Sequence, residues 1–158
     1  MDYEVFPHFV TKPKAPRRLK ISFDEWNIWN HIRGPGNKGE EELDDDSDMT
    51  VVALWLNVFV RQARHIDIAT IAQRVNVIAP LMTNKQGVFE QTTYWLLLLF
   101  SRCVCGQSLA VHVQIPIYRG RTTPEWLATT MDIPLLNFAA ALSDDFYLNL
   151  AVMNVTDS

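Results

Sequence analysis

The feature that most limits the fold is an alternation between two hydrophobic periods. "LKISFDEWN", Leu19 to Asn27, has the β-branched and aromatic content and the length of a strand. "MTVVALWLNVFVRQARHI" then reads as a helix. "IDIATIAQRVNVIAP" is another run of strand length ended by Pro80, and "EQTTYWLLLLFSRCVCG" is a helix closed by Gly106. Strand, helix, strand, helix predicts parallel strands joined by helical crossovers, with both faces of the sheet covered. After Gly106 the pattern changes to "LAVHVQIPIY", "IPLLNFAAAL" and "FYLNLAVMNV", which are antiparallel strand signals, with Ser143 to Asp145 as a turn between the last two.

The expected class is therefore α/β plus all-β. Residues 1–18, broken by prolines and basic, form an irregular lead-in; residues 19–106 are the α/β part; an all-β unit begins at 107 and runs to 158. Two strand-helix units cannot close a barrel, which takes eight such units and roughly 250 residues, and three strands cannot complete a sandwich. The chain is expected to be the middle-to-end piece of a larger architecture, with unpaired strand edges that a complementary chain or a homo-oligomer would cover.

Composition removes several function classes. With 158 residues, 48% of them hydrophobic and 20% charged, the chain can bury a sizeable core. Its formal net charge of -4 offers no basic patch, so nucleic acid is not an expected partner. The longest apolar run, Tyr94 to Phe100, is far short of the roughly 20 residues that span a bilayer, so no membrane partner is expected. The start "MDYEVFPHF" carries acids where a secretory signal has basic residues before an apolar run. No signal peptide is therefore expected in this chain, and an intracellular setting is favoured. Cys103 and Cys105 are expected to be buried small hydrophobes, since their spacing suits neither a disulfide framework nor a zinc site.

Between the first strand and helix lies "HIRGPGNKGEEELDDDSD". Gly34, Gly36 and Gly39 have dinucleotide-site spacing, but seven acids within residues 40–48 follow where a helix should receive the pyrophosphate. Asp44, Asp46 and Asp48 have part of a calcium-loop spacing, yet Met49 and Trp55 stand where that loop needs Gly and Glu. A solvated loop ending in a helix cap at Ser47 or Asp48 accounts for the acids. His8, His31, His65 and His112 lack metal-ligand spacing and are read as surface or core residues, so no metal and no cofactor is expected.

The stretch "KISFDEWNIW" remains. Strand alternation would turn Ile21, Phe23, Glu25 and Asn27 one way and Asp24 the other, leaving Asp24 as a scaffold group. Glu25 would sit at the carboxyl end of a parallel strand, the edge where α/β barrels build active sites, with Trp26 and Trp29 close behind. Aromatic faces beside a carboxylate suit a sugar ring. An ion-pair network would also place an acid there, so the pattern alone leaves Glu25 open between a structural and a functional role.

"KISFDEWNIW", "IAQRVNVIAPLMTN" and "GVFEQTTYWLLLLFSR" together resemble the α-L-arabinofuranosidases of glycoside hydrolase family 51, from about residue 19 to the end. That resemblance implies a partial (β/α)8 barrel, of which "KISFDEWN" and "IDIATIAQ" are the last two strands, followed by a truncated β-sandwich. It implies hydrolysis, with retention, of terminal α-L-arabinofuranosyl residues on arabinan and arabinoxylan fragments. By the resemblance Glu25 is the catalytic nucleophile, Trp29 lines the sugar pocket, Gln73 hydrogen-bonds in it, and Trp26 and Asn27 support them. The acid/base glutamate of the family lies in an Asn-Glu pair on an earlier strand, and no such dipeptide occurs in this chain. Three readings follow: a nucleophile-carrying piece of an arabinofuranosidase, an inactive shortened relative kept as an interaction or structural piece, or an unrelated α/β binding module.

Overall fold

The computed structural model describes residues 19–29, 41–119 and 132–155. The lead-in, the glycines at 34–39, His8 and His31 lie outside them. Strands β1 (Ile21–Trp26) and β2 (Ile66–Ile71) pair in parallel, and helix α1 (Asp46–Arg61) connects them in the chain. This is the predicted strand-helix-strand crossover.

The start of α1 differs in detail from the expectation. Asp45, rather than Ser47 or Asp48, is the N-cap: its carboxylate accepts from the backbone N–H groups of Ser47 at 2.8 Å and Asp48 at 3.2 Å. Asp48 returns the favour by accepting from the Asp45 N–H at 2.9 Å, which completes a capping box with a carboxylate at the third helical position. The acids of the loop thus serve orphan N–H groups and the positive end of the helix dipole. Asp44 does separate work, accepting from the Thr93 hydroxyl at 2.5 Å.

β2 stops at Ile71 rather than running on to Pro80. Ala72 donates the last rung to the Trp26 carbonyl at 3.0 Å, after which Asn76 and Val77 take left-handed backbone, φ 61° and 63°, through which no strand continues. The chain returns as a hairpin absent from the sequence prediction, β3 (Leu81–Asn84) antiparallel to β4 (Gly87–Glu90). The Asn84 side chain forms its turn by accepting from the N–H groups of Gln86 at 2.8 Å and Gly87 at 3.1 Å.

Helix α2 (Thr92–Cys103) follows at once. Its N-cap, Gln91, is buried and does not cap. The Gln91 amide instead binds across the structure, accepting from Asp44 N–H at 2.7 Å and donating to the carbonyls of Ala79 at 2.6 Å and Glu42 at 3.3 Å. Cys103 and Cys105 are both exposed, contrary to the expected burial. The helix ends at Cys103, so helical spacing no longer turns the following residues inward, and the Cys105 thiol donates to the Ser101 carbonyl at 2.9 Å. Gly106 has φ 101°, and a Cβ there would lie 2.1 Å from the Leu142 carbonyl oxygen, so the close approach of these two segments requires glycine.

The remaining strands are antiparallel, as predicted, but the first two runs are interrupted: the first leaves β5 (Gln107–Leu109) and resumes only after Pro116, and the second divides after Pro134. β5 (Gln107–Leu109), β8 (Leu136–Leu142) and β9 (Leu148–Asn154) form one sheet in the order β5, β8, β9, while β6 (Ile117–Arg119) pairs with β7 (Asp132–Pro134). Pro116 and Pro134 have no N–H to continue a ladder, and the Pro116 carbonyl accepts instead from Leu135 N–H at 3.1 Å. The expected turn between β8 and β9 is present, closed by Phe146 N–H to Ser143 carbonyl at 3.0 Å. Among the described residues no helix is long and apolar enough to cross a membrane.

Helix α1 joins the two patterns. Val52 and Ala53 are buried with Trp26 and Leu96, and Met153 of β9 packs against the same cluster. One turn on from Ala53, the Asn57 amide donates to Asn137 Oδ1 at 2.9 Å, and Arg61 reaches that oxygen at 2.9 Å and the Phe138 carbonyl at 2.6 Å. Because Gln91 is 1% exposed, truncating it strands the Asp44 N–H and the Ala79 carbonyl away from water. Gln91→Ala is expected to lower unfolding stability by about 1–3 kcal/mol, read as a fall in the urea midpoint at unchanged slope.

Candidate active site

The ladder between β1 and β2 is irregular where the acid pair lies. Phe23 is matched to Ala69 and Trp26 to Ile71, so Asp24 and Glu25 on β1 together oppose Thr70 alone on β2. One extra residue in one strand is a β-bulge, a device that re-aims side chains and is over-represented beside active sites. Its consequence is a change of phase. Phe23 and then Trp26, rather than Glu25, face α1: Phe23 lies 5.5 Å and Trp26 5.0 Å from the Phe59 ring, centroid to centroid. The even alternation of Ile21, Phe23, Glu25 and Asn27 is therefore corrected.

Glu25 is exposed, not held among aromatic rings, and Asp24 is exposed beside it. A carboxylate in the helix-facing position would lose its hydration without a partner, at a cost of several kcal/mol, whereas Trp26 there buries a large apolar surface. The Asp24 backbone still holds the ladder, its carbonyl accepting from the Thr70 hydroxyl at 3.0 Å.

Past the bulge the chain delivers the other candidates to the same end of the strand pair. Trp26 is 6% exposed, and Ile28 packs against the same cluster, while Trp29 projects with 64% of its surface accessible. Gln73 follows the end of β2 by two positions, is exposed, and is joined to Ala72 through a cis peptide bond. Between the two strand ends lies Asn27. Its amide N–H groups donate to the carbonyls of Ala72, at 2.8 Å, and Ile78, and its oxygen accepts from the Ile28 N–H at 2.8 Å. Sequence reasoning assigned Asn27 a support without saying to what. An asparagine next to a strand gives no sign of which distant carbonyls it meets.

The structure thus brings Glu25, Asn27, Trp29 and Gln73 to the carboxyl end of one parallel pair and sends Trp26 into the core behind them. Among the described residues β1 and β2 pair only with each other. Two clefts open elsewhere, one along the β3–β4 hairpin and one between α1, α2 and β9; neither is lined by Glu25, Trp29 or Gln73. No three His, Cys, Asp or Glu side chains cluster as metal ligands among the described residues. His65 is buried at the junction of α1 and β2, and His112 is exposed.

Residues 24–156 match the family described as the α-L-arabinofuranosidase C-terminal domain. The chain belongs to that family. It is 48% identical over 145 residues to a probable α-L-arabinofuranosidase C of Aspergillus clavatus, covering 92% of this chain and 29% of the relative. It is 46% identical over 143 residues to α-L-arabinofuranosidase C of Emericella nidulans, covering 90% of this chain and 28% of that protein. The chain therefore spans less than a third of the length of these relatives. The fold is similar, with a TM-score of 0.74 at 19% identity, to a family 51 α-L-arabinofuranosidase from Bifidobacterium longum, over 90% of this chain and 30% of the other.

The phase change separates the two tryptophans energetically. Trp26→Ala is expected to cost about 3–5 kcal/mol of stability, and Trp29→Ala to stay within about 0.5 kcal/mol of the parent. Trp26→Phe deletes an indole N–H that has no hydrogen-bond partner among the described residues, so it should fall between them. Denaturant unfolding of the three variants measures this order, and an equal loss for Trp26→Ala and Trp29→Ala would contradict the bulged register.

Proposed function

We propose that this chain carries the nucleophile end of a retaining α-L-arabinofuranosidase, with Glu25 as the nucleophile. The observation that supports it most is the convergence of Glu25 and Gln73 at the carboxyl end of a parallel strand pair, in a chain nearly half identical to proteins named α-L-arabinofuranosidase. On this reading β1 and β2 are the last two strands of a (β/α)8 barrel, residues 19–106 are the end of the catalytic domain, and 107–158 begin a β-sandwich.

The chemistry assigns each residue a task. The Glu25 carboxylate attacks the anomeric carbon of a terminal arabinofuranosyl residue. The glycosidic C–O bond breaks, and the leaving oxygen takes a proton from a second carboxyl group roughly 5 Å away. That group then removes a proton from water as the water displaces Glu25 and frees L-arabinose. Trp29, exposed at the strand end, offers an aromatic face to the C–H side of the sugar, and Gln73 hydrogen-bonds its hydroxyls. Trp26 and Asn27 hold the segment from which they act. The substrate is an arabinofuranosyl-bearing oligosaccharide of the arabinan or arabinoxylan type, and the reaction needs no cofactor.

A second reading is an inactive relative retained as an interaction or structural piece. Both readings are tested by exchanging residues 19–158 for the matching segment of the Emericella nidulans relative and assaying an aryl α-L-arabinofuranoside. Residues 19–158 alone are expected to hydrolyse it poorly or not at all, because the reaction requires two carboxyl groups. The chimera is expected to hydrolyse the substrate and to lose about a thousandfold or more in kcat with Glu25→Gln. An inactive but folded chimera favours the second reading, and full activity of Glu25→Gln would place the nucleophile elsewhere.

A further inference from the structure

We infer that Asn27 is a positioning residue that fixes Gln73 relative to Glu25, a role that rests on the reading of Glu25 as nucleophile. Asn27 is the first residue after β1, two positions beyond Glu25. A carboxamide has two N–H donors and one acceptor oxygen, and here all are engaged at once. One donor bond goes to the Ala72 carbonyl at 2.8 Å and another to the Ile78 carbonyl, while the oxygen takes the Ile28 N–H at 2.8 Å. The Ala72 carbonyl belongs to the peptide that leads into Gln73. One side chain therefore ties the strand that presents Glu25 to the backbone that presents Gln73, across 45 positions of sequence.

Among the described residues no other side chain bonds the backbone next to Gln73 to β1 or its end. The side chains of Gln73 and Trp29 are exposed and make no hydrogen bond or ring contact among the described residues, so their placement comes from their backbone. On the Gln73 side that backbone is held by two bonds between strand ends, Ala72 N–H to the Trp26 carbonyl at 3.0 Å and the Asn27 amide to the Ala72 carbonyl. The first is an ordinary ladder rung that any residue at position 72 except proline would make. The second depends on the Asn27 side chain. Aspartate is nearly the same shape and could still accept from Ile28, but it would set a carboxylate oxygen against two carbonyls. The clamp therefore requires the amide.

A residue that only stitches a loop would lower stability and leave the folded enzyme's kinetics alone. A residue that acts through Gln73 lowers kcat/KM, and does so only while Gln73 is present. The test is a double-mutant cycle in the chimera with the Emericella nidulans relative, using an aryl α-L-arabinofuranoside and active-site-titrated enzyme. Asn27→Ala and Asn27→Asp should each lower kcat/KM about 10- to 100-fold, the scale of a small misplacement of a binding group. With Gln73→Ala already in place, either should cost less than about threefold. Independent, multiplicative losses would overturn the proposal, as would unchanged kinetics in a folded Asn27→Asp variant. Failure of both Asn27 variants to fold would also overturn it, in favour of a scaffold role. Glu25→Gln in the same chimera separates the two claims: retained turnover there defeats the nucleophile reading, whatever Asn27 does.

Discussion

The single extra residue in β1 is the constraint on which the arrangement turns. A regular ladder from Phe23 onward would carry Glu25 to the face that meets α1, opposite Phe59, and would leave Trp26 in water. The bulge exchanges them. Phe23, Trp26, Trp55 and Phe59 then form a continuous aromatic contact, with ring centroids 5.0 to 5.6 Å apart, in the tilted and edge-on arrangements that ring quadrupoles favour. That contact seats α1 on the strand pair. It also fixes the exposure of the acid pair with no ion pair or hydrogen bond to either carboxylate among the described residues.

Helix α1 passes the constraint on. Its aromatic side holds β1, while Asn57 and Arg61 bind Asn137 and the Phe138 carbonyl of β8, and the Val60 carbonyl accepts from the Ser108 hydroxyl at 2.5 Å. These bonds are directional and partly or wholly shielded from water, so they specify one docking of the β8–β9 sheet where apolar packing alone would allow several. Gln91 does the equivalent at the other end of α1, binding the loop ahead of the helix to the residue before Pro80. Two buried carboxamides thus lock both ends of a helix whose middle is held by aromatic and aliphatic contacts.

The order of elements was legible because it rests on period and punctuation, both local properties. The parallel pair, the two helices and the β8–β9 turn follow from apolar spacing, proline and glycine. The bulge was not legible, because a ladder irregularity is a relation between Asp24, Glu25 and a residue 45 positions on from Glu25. Periodicity within one strand carries no trace of it. The choice of Asp45 is not legible because Asp44, Asp45, Asp46 and Asp48 are all competent caps, and which of them serves depends on how Gln91 and Thr93 hold the loop at Asp44. The β3–β4 hairpin did leave a signal, Asn84 three positions before Gly87, which a long apolar run ending at Pro80 obscured. The expected burial of the cysteines rests on residue type alone, yet Cys103 is the last residue of α2, Cys105 lies beyond it, and both are exposed.

The distance between ancestry and activity is also physical. Near half identity over most of the chain speaks for a shared backbone, and a shared backbone places strand ends. It does not by itself supply the chemistry of the proposed reading, because retaining hydrolysis requires two carboxyl groups at one separation, one to attack and one to protonate the leaving oxygen. What the described residues contain is the presentation of one carboxylate: a bulge that frees it from the core, a tryptophan that takes its place, and an asparagine that holds the neighbouring strand end in register. Each of these acts within the strand pair and α1. That presentation is accordingly a local property of this chain, whereas catalysis on the proposed reading is a property of the pair of carboxylates.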